Sequence, residues 1–530
     1  MTAVLYLASA PAALDRLIEV ARATSPLAVL VHTGGCRLTA GGATLDVELA
    51  TDVPAAVART LETHFDAVLI DVDGAAPLAL LDGFLAGLRA ERDQERRYRR
   101  DRVLAVVGTE PARVLFDLGQ RRIGGWLAAP RDRAGVEALG AQLAAAVRPP
   151  PSRKALCAAG GGITGVYYEL GVLKCLEDTL GGFSVHDFDL YFGISAGAIV
   201  TSLVANRVAL DELLREIDPH NRAGYGLELS LSDLNLRDLP ARLYSVATHL
   251  RDYRDRVRRG EDRLSVTAAL SQLAALFGPF FHGGAKQRRM AELLSRPGRT
   301  DDFRALDREL YIGATDQDSR EHVLFGSEAF KHVPISRAVQ ASAAIHPFFS
   351  SVTIDGRRYT DGFVTKTTNL VAAVDRGANL VVIIDPFLPL VTDDPGFNHR
   401  HSLLWVLVQD YKTVAFTRYE RVSAALHETH PAVTCLSFLP SNRMRRVLAT
   451  NPISTSSFDP IVTQAYASTY RRLARMAYRF GPVLAEHGID LSLELAARKV
   501  RLIEASPAPR AELLCAGALT PRVAPTATAA

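Results

Sequence analysis

The chain has 530 residues, 48% of them hydrophobic and 22% charged, with a formal net charge of +3. That length exceeds one ordinary core and predicts two or three domains. The composition is that of a folded protein, and so small a charge gives no general drive toward nucleic acid, so any basic surface is local.

Five cysteines (Cys36, Cys157, Cys175, Cys435 and Cys515) are odd in number and lack short paired spacing. This argues against a disulfide framework or a zinc knuckle and fits a reducing compartment, hence a cytoplasmic protein. The start "MTAVLYLASAPAALDRL" has no basic n-region and its small-residue site runs into Pro11, so it reads as a first strand and helix, not a signal peptide. No uninterrupted apolar run reaches the roughly 18–20 residues of a spanning helix. A membrane, if one is involved, is met at its surface.

Residues 1–148 alternate strand-like runs ("AVLYLA", "LAVLVH", "AVLIDV", "VLAVVG", "GGWLAA") with amphipathic helical runs such as "DRAGVEALGAQLAAAV". Short apolar strands alternating with helices predict a parallel sheet covered on both faces. The segment resembles a response-regulator receiver domain of flavodoxin-like fold. "FDAVLIDVDG" puts Asp71 where that family has its phosphoacceptor, with Thr109 after the fourth strand run and Pro130 after the fifth. Two departures weaken a phosphoryl switch: Ala8-Ser9-Ala10 replaces the acidic metal-holding cluster, and Ala129 replaces the lysine before Pro130. Without carboxylates for Mg2+ and a cation for the phosphoryl oxygens, phosphorylation of Asp71 loses its electrostatic support. A degenerate receiver used for docking a protein partner or a second copy is therefore expected, with a working phospho-switch, or a flavodoxin-like module in which Asp71 is simply a carboxylate at a strand end, as the alternatives.

Pro149, Pro150 and Pro151 mark a linker over residues 149–153. Beyond it, "KALCAAGGGITGVYYELGVLKCLED" runs from an apolar strand through Gly160-Gly161-Gly162-Ile163-Thr164-Gly165 into a helix. Consecutive glycines at a helix N-terminus can aim successive N–H groups at one anion. Phosphate loops are built the same way, but neither the dinucleotide fingerprint nor the P-loop ending is present.

Next, "DLYFGISAGAIVTSLVANR" carries Gly193-Ile194-Ser195-Ala196-Gly197 between an apolar strand and an apolar helix. In Gly-x-Ser-x-Gly the serine sits on a tight strand-to-helix turn, and the flanking glycines avoid clashes that any Cβ would create. A serine hydroxyl also needs a base within reach. Downstream, "ASAAIHPFFSSVTIDGRRYTDG" ends in Asp361-Gly362.

With these three motifs in order, residues about 153–385 resemble the patatin-like phospholipases, lipid acyl hydrolases that use a Ser/Asp dyad. The resemblance implies Ser195 as nucleophile, Asp361 as base, and Gly160, Gly161, Gly162 and Gly165 as the oxyanion-hole motif. Gly193 and Gly197 flank the elbow, and Gly362 follows the aspartate. It implies a lipid ester substrate and no metal or organic cofactor. Phe363 departs from the small residue usual after Asp-Gly, and Thr164 from the basic residue often found in the Gly-rich loop.

Other readings stay open at this level. Ser195 could be a turn serine, and Asp361 could be a turn former like Asp73, Asp82 and Asp355, each of which also precedes glycine. A Ser/acid/His triad would draw on His346, His399, His401, His427, His430 or His487. A catalytically silent lipid-binding or signalling scaffold is a different class, and a depolymerase or thioesterase would share the serine chemistry.

An insertion over about 213–304 carries Arg251, Arg254, Arg256, Arg258 and Arg259, then an apolar run into "FGPFF", a lid or hinge corner at Gly278-Pro279. Basic and apolar helix faces suit peripheral contact with a membrane surface. Interleaved Asp252, Asp255 and Glu261 suit a solvated helix equally well. Leu404, Trp405 and Val408 pose the same choice. The expected architecture is α/β throughout: 1–148 receiver-like, 154–390 a patatin-like parallel-sheet hydrolase core with the helical insertion, 391–505 a helical extension completing it, and 506–530 a disordered tail.

Overall fold

The computed structural model describes residues 2–9, 15, 18–19, 22, 29–32, 34–40, 43–72, 78–91, 96–108, 112–148, 151–221, 225, 234–235, 239–261, 279–449, 455 and 457–515. Two compact units result: Met1–Ser152 with Arg421–Leu436 and Leu473–Leu491, and Arg153–Glu420 with Ser437–Arg472 and Ser492–Ala530. The stretch read from sequence as one C-terminal extension, 391–505, is thus divided between them.

Among the described residues, the main sheet of the first unit has seven strands: β1 (Thr2–Leu7), β2 (Val29–His32), β3 (Gly35–Ala40), β4 (Ala43–Ala50), β5 (Ala67–Asp71), β6 (Val103–Val107) and β7 (Gly125–Ala128), in the order β2-β3-β4-β1-β5-β6-β7. From β4 to β7 the pairing is parallel. Successive side chains of the central strands feed opposite faces. Val4, Tyr6, Leu69, Leu104 and Val106 join one core with Leu139 and Leu143 of helix Arg133–Ala146. Leu5, Leu7, Val68, Ile70 and Ala105 join the other with Phe84 and Leu88 of helix Ala79–Ala90. Burial on both faces is why these strands read as continuous apolar runs.

One element departs from the sequence reading. "LAVLVH" was expected as a parallel strand, yet β2 is an antiparallel edge strand and β3 is antiparallel to both neighbours. Gly34, at φ +83°, makes the β2–β3 turn possible. The strand beside β1 is β4, whose alternation of buried Leu45 and Val47 with half-buried Asp46 and Glu48 carries a period of two. The five parallel strands keep the order of flavodoxin-like folds, with the hairpin added at one edge. Asp71 ends β5 and is buried; Thr109 lies outside the described residues.

The second unit contains β8 (Lys154–Ala158), β9 (Leu190–Ile194), β10 (Glu309–Asp316), β11 (His322–Phe325), β12 (Val352–Ile354), β13 (Arg357–Asp361) and β14 (Leu380–Ile384), and its sheet ends at β15 (Thr434–Phe438). The order is β12-β13-β10-β9-β8-β14-β15, with β11 also paired to β10. The centre is parallel, whereas β11, β12 and β13 are antiparallel. The sheet is therefore mixed, and Asp361 arrives on its antiparallel part. Helices Gly162–Thr179 and Ala196–Ala205 are buried almost all round, the condition of helices inside a core.

Within the insertion, helices Leu210–Ile217, Leu239–Arg258 and Gly284–Leu294 are described, and 262–278, including Gly278 and most of the apolar run, lie outside the described residues. The five arginines at 251–259 are exposed around buried Tyr253. Phe280 and Phe281 of the "FGPFF" corner are tied by main-chain bonds to Pro347, Phe348 and Ser350. Residues 506–515 correct the tail boundary: Ala511 donates to Asp459 at 2.7 Å, and the Leu514 carbonyl accepts from Lys499 at 2.7 Å. Residues 516–530 lie outside the described residues.

Candidate active site

Ser195 occupies the single-residue junction between β9 and helix Ala196–Ala205, with φ 54° and ψ −114°. Positive φ is costly for a residue with a Cβ and persists only where the surroundings impose it. The surroundings here are tight. A Cβ on Gly193 would stand 2.3 Å from Thr201 Oγ1, and one on Gly197 would stand 2.2 Å from the Ala158 carbonyl oxygen. The Ser195 amide donates to Ser342 Oγ at 2.9 Å, and that hydroxyl donates to the Gly313 carbonyl at 2.6 Å.

The Gly-rich loop leaves β8 directly beside this turn. A Cβ on Gly160 would meet Ser195 Cβ at 3.4 Å, and one on Gly161 would stand 2.7 Å from Pro386 Cγ. Gly162, at φ +64°, opens helix Gly162–Thr179, whose first-turn N–H groups have no intrahelical acceptor. Gly165 is different. Its amide is spent on the Gly161 carbonyl at 3.0 Å, so it serves by close packing, its Cβ position lying 3.3 Å from Ala196 Cβ. Thr164 donates its hydroxyl to the Gly161 carbonyl at 3.3 Å and so ties the loop down without a basic residue.

Asp361 closes β13 and is fully buried. Its Oδ1 accepts the Phe363 amide at 2.9 Å. The Ser195 hydroxyl acts on the same carboxyl and favours its ionised form, but it stands outside strict hydrogen-bond geometry, leaving Oδ2 with no conventional partner. Burial dominates both contacts and pushes the carboxyl up to about 7. Gly362 allows the turn: a Cβ there would stand 2.4 Å from the Gly313 carbonyl oxygen. The Phe363 ring packs against Phe387 and Tyr411, with centroids 5.3 and 5.5 Å away.

Gly160, Gly161, Gly162, Ser195 and Asp361 line one cavity of about 160 Å³. The rest of its described wall is largely apolar, with Val166, Ile199, Met290, Val339, Phe348 and Phe387 among its residues. A hydroxyl, a buried carboxyl and a glycine-lined helix N-terminus thus face one apolar space, which permits nucleophilic attack on a carbonyl with an oxyanion held by N–H groups.

The candidate histidines stay apart from this cavity. His427, His430 and His487 belong to the other unit. His399, His401 and His346 do not line it, and His346 is bonded to Thr360 Oγ1 at 3.1 Å. Sequence reasoning passed over the groups that brace Asp361. Thr315 Oγ1 donates to the Asp361 carbonyl at 3.0 Å and pairs with Thr365 Oγ1 at 2.8 Å. His322 bonds Thr365 and Asn369 at 2.7 and 2.9 Å. Burial lowers His322 to about 4, so it stays neutral. Each is an ordinary strand or loop residue in the sequence, with no local signal of this role.

Residues 156–374 match the family model described as Patatin: Patatin-like phospholipase. No curated protein matches the chain. Among solved structures, VipD from Legionella pneumophila is 15% identical, with 61% of this chain and 67% of that chain covered and a TM-score of 0.27. The type III effector ExoU is 14% identical (67% and 64% covered, TM-score 0.25). ExoU in its complex with SpcU, from the type III secretion system of Pseudomonas aeruginosa, is 17% identical (68% of each chain, TM-score 0.20). At such TM-scores the resemblance is loose.

Proposed function

We propose that the second unit is a serine acyl hydrolase of lipid esters, of phospholipase A or lysophospholipase type, working through a Ser195/Asp361 dyad. The observation that carries this reading is the buried Asp361 carboxyl, raised to about 7, in the same apolar cavity as a serine on a strained elbow. A base titrating near the working pH combines availability with proton affinity.

In the proposed cycle, ionised Asp361 takes the Ser195 proton as Oγ attacks the ester carbonyl. N–H groups of the Gly160–Gly162 loop receive the developing oxyanion, which a helix N-terminus favours. Collapse expels the alcohol, protonated by Asp361, and leaves an acyl-serine. Water, deprotonated by the same carboxylate, then releases the acid. The apolar wall suits an acyl chain.

A catalytically silent scaffold, with the base misplaced by Phe363, is the alternative reading, and the position of Phe363 favours the dyad. The Phe363 ring is engaged with Phe387 and Tyr411, and its amide donates to the Asp361 carboxyl. No described helix is long and apolar enough to cross a membrane. Contact with lipid at a surface is proposed on the exposed side chains. Exposed Leu403 and Leu404 at the start of helix Leu403–Thr429 and the exposed arginines at 251–259 are the described candidates for that contact. Residues 1–148 are proposed to dock a partner or a second copy.

Hydrolysis of short-chain and long-chain fluorogenic esters by the wild type, Ser195→Ala and Asp361→Asn tests the reading. Turnover by wild type alone, favouring the longer chain, is expected; equal turnover by all three would refute it.

A further inference from the structure

We propose that the first unit carries an anion site, separate from the cavity at Ser195, in the pocket lined by Arg89, Arg97, Arg99, Arg100 and Arg479, and that it takes a phosphate-type group bearing two or more negative charges. The pocket measures about 70 Å³. Its lining residues, from 88–89, 97–100, 427–436 and 479–483, all belong to this unit. Among the described residues, five guanidinium groups and a single carboxylate, Glu428, line it.

Among the described residues, local ion pairing does not cancel this charge. Arg99 is matched by Asp101 at 2.7 Å and by Glu486 at 3.0 Å, but Glu486 is shared with Arg102 at 3.1 Å. Arg100 meets Glu428 at 3.3 Å. Arg97, in contrast, donates to the Glu91 and Arg89 carbonyls at 2.7 and 3.1 Å, and Arg89 donates to the Leu85 carbonyl at 3.3 Å. A carbonyl orients a guanidinium without neutralising it. Each guanidinium carries five N–H donors in a planar fork, so two carbonyl bonds do not exhaust Arg97.

Two groups in the pocket register the resulting field. Arg100 is held below its ordinary value first by burial, with Glu428 opposing, and then by repulsion from Arg89, Arg97 and Arg122. His427 is held down by burial, and Arg97 and Arg479 push the same way. Leu88, Val433, Phe480 and Val483 form part of the wall, and an apolar wall strengthens each charge interaction relative to water. A multiply charged oxyanion that accepts paired guanidinium N–H groups relieves the repulsion and fits the fork geometry. Arg99 also fastens chain segments together through the Ala432 carbonyl and Thr434. That fastening accounts for Arg99 but not for Arg89 and Arg97, whose described partners are carbonyls.

Calorimetric titration of the full chain at constant ionic strength tests the proposal. One arm uses inorganic pyrophosphate, and the other uses phosphatidylcholine vesicles doped with phosphatidylinositol bisphosphate. Saturable pyrophosphate binding is expected, weakened at least about ten-fold in the Arg97→Gln/Arg100→Gln double variant. Because that variant could lose binding by misfolding, Glu428→Gln provides the opposite sign: it removes the pocket's carboxylate and should tighten binding about three-fold or more. Arg97-dependent binding in the vesicle arm would identify a lipid headgroup as the ligand, and binding confined to pyrophosphate a soluble phosphate compound. No saturable binding in either arm, or one affinity shared by wild type and both variants, would overturn the site.

Discussion

The Ser342 hydroxyl accepts the backbone amide of Ser195 at 2.9 Å and passes its own proton to the Gly313 carbonyl at 2.6 Å, so a side chain remote in sequence holds the peptide that bears the proposed nucleophile. Removing it leaves a buried amide without an acceptor, which costs about 1–3 kcal/mol. Ser342→Ala should therefore lose stability by that amount and lower kcat about ten-fold or more, with KM little changed, because the elbow loses its orientation and the binding wall does not. Steady-state kinetics with a chemical melt checks both.

The glycines should separate into two groups. Gly197→Ala drives a Cβ to 2.2 Å from the Ala158 carbonyl oxygen, main chain that cannot swing aside, and should cost more than about 3 kcal/mol or abolish folding. Gly160→Ala meets the Ser195 side chain, Cβ at 3.4 Å and Oγ at 4.0 Å, both ordinary contacts, and should fold while turning over more slowly because the new methyl crowds the reacting carbonyl. Urea unfolding of the two variants distinguishes them.

The raised Asp361 carboxyl makes two pH predictions of opposite direction. If its carboxylate is the base, kcat/KM rises with pH through about 7 and then levels. For stability, the folded carboxyl binds its proton up to about 7 whereas the unfolded one releases it near 3.8, so the folded state holds more protons between these values. Stability then falls as pH rises across that window, by a total on the order of 4 kcal/mol. Asp361→Asn, uncharged and nearly isosteric, should lose activity yet gain stability on the order of 1–3 kcal/mol at about pH 8.5, with no gain at about pH 4. Melts of both proteins across pH measure this.

A second buried set stands behind the Gly-rich loop. Asp385 precedes Pro386, the residue packed against Gly161 and Gly165. Burial raises Asp385 to about 7 and lowers Lys412 to about 8, while each favours the other's charged form. Glu169 is raised by burial and by Asp385. Lys412→Met leaves the Asp385 charge without that support, so it should destabilise by about 1–3 kcal/mol at about pH 8. At about pH 5.5 Asp385 is protonated in both proteins, and the variant should be neutral or stabilised. Equal losses at the two pH values would show that Lys412 acts by packing alone.

The sequence disclosed this site where chemistry forces residue type. Gly193, Gly197 and Gly362 are required by contacts under 2.7 Å, so their spacing around Ser195 and Asp361 appears as motifs. Ser342, Thr315, His322 and Pro386 act through distant backbone, and no local pattern marks them. The first unit shows the same division. Strands buried on both faces, such as β5 and β6, were legible as apolar runs, but the hairpin β2–β3 was not: "LAVLVH" has the composition of a central strand, and only pairing with "CRLTA" makes it an edge. The arginine pocket joins segments more than 300 residues apart, for example Arg100 with Glu428, which no spacing rule could join.

The most direct test of the dyad is intact-mass analysis after exposure to a fluorophosphonate, with peptide mapping of the adduct, on wild type and Asp361→Asn. The account predicts one adduct on wild type, mapped to Ser195, with labelling slowed at least about a hundred-fold in Asp361→Asn because the hydroxyl has lost its base. An adduct on another residue, or equal labelling rates in the two proteins, would contradict it.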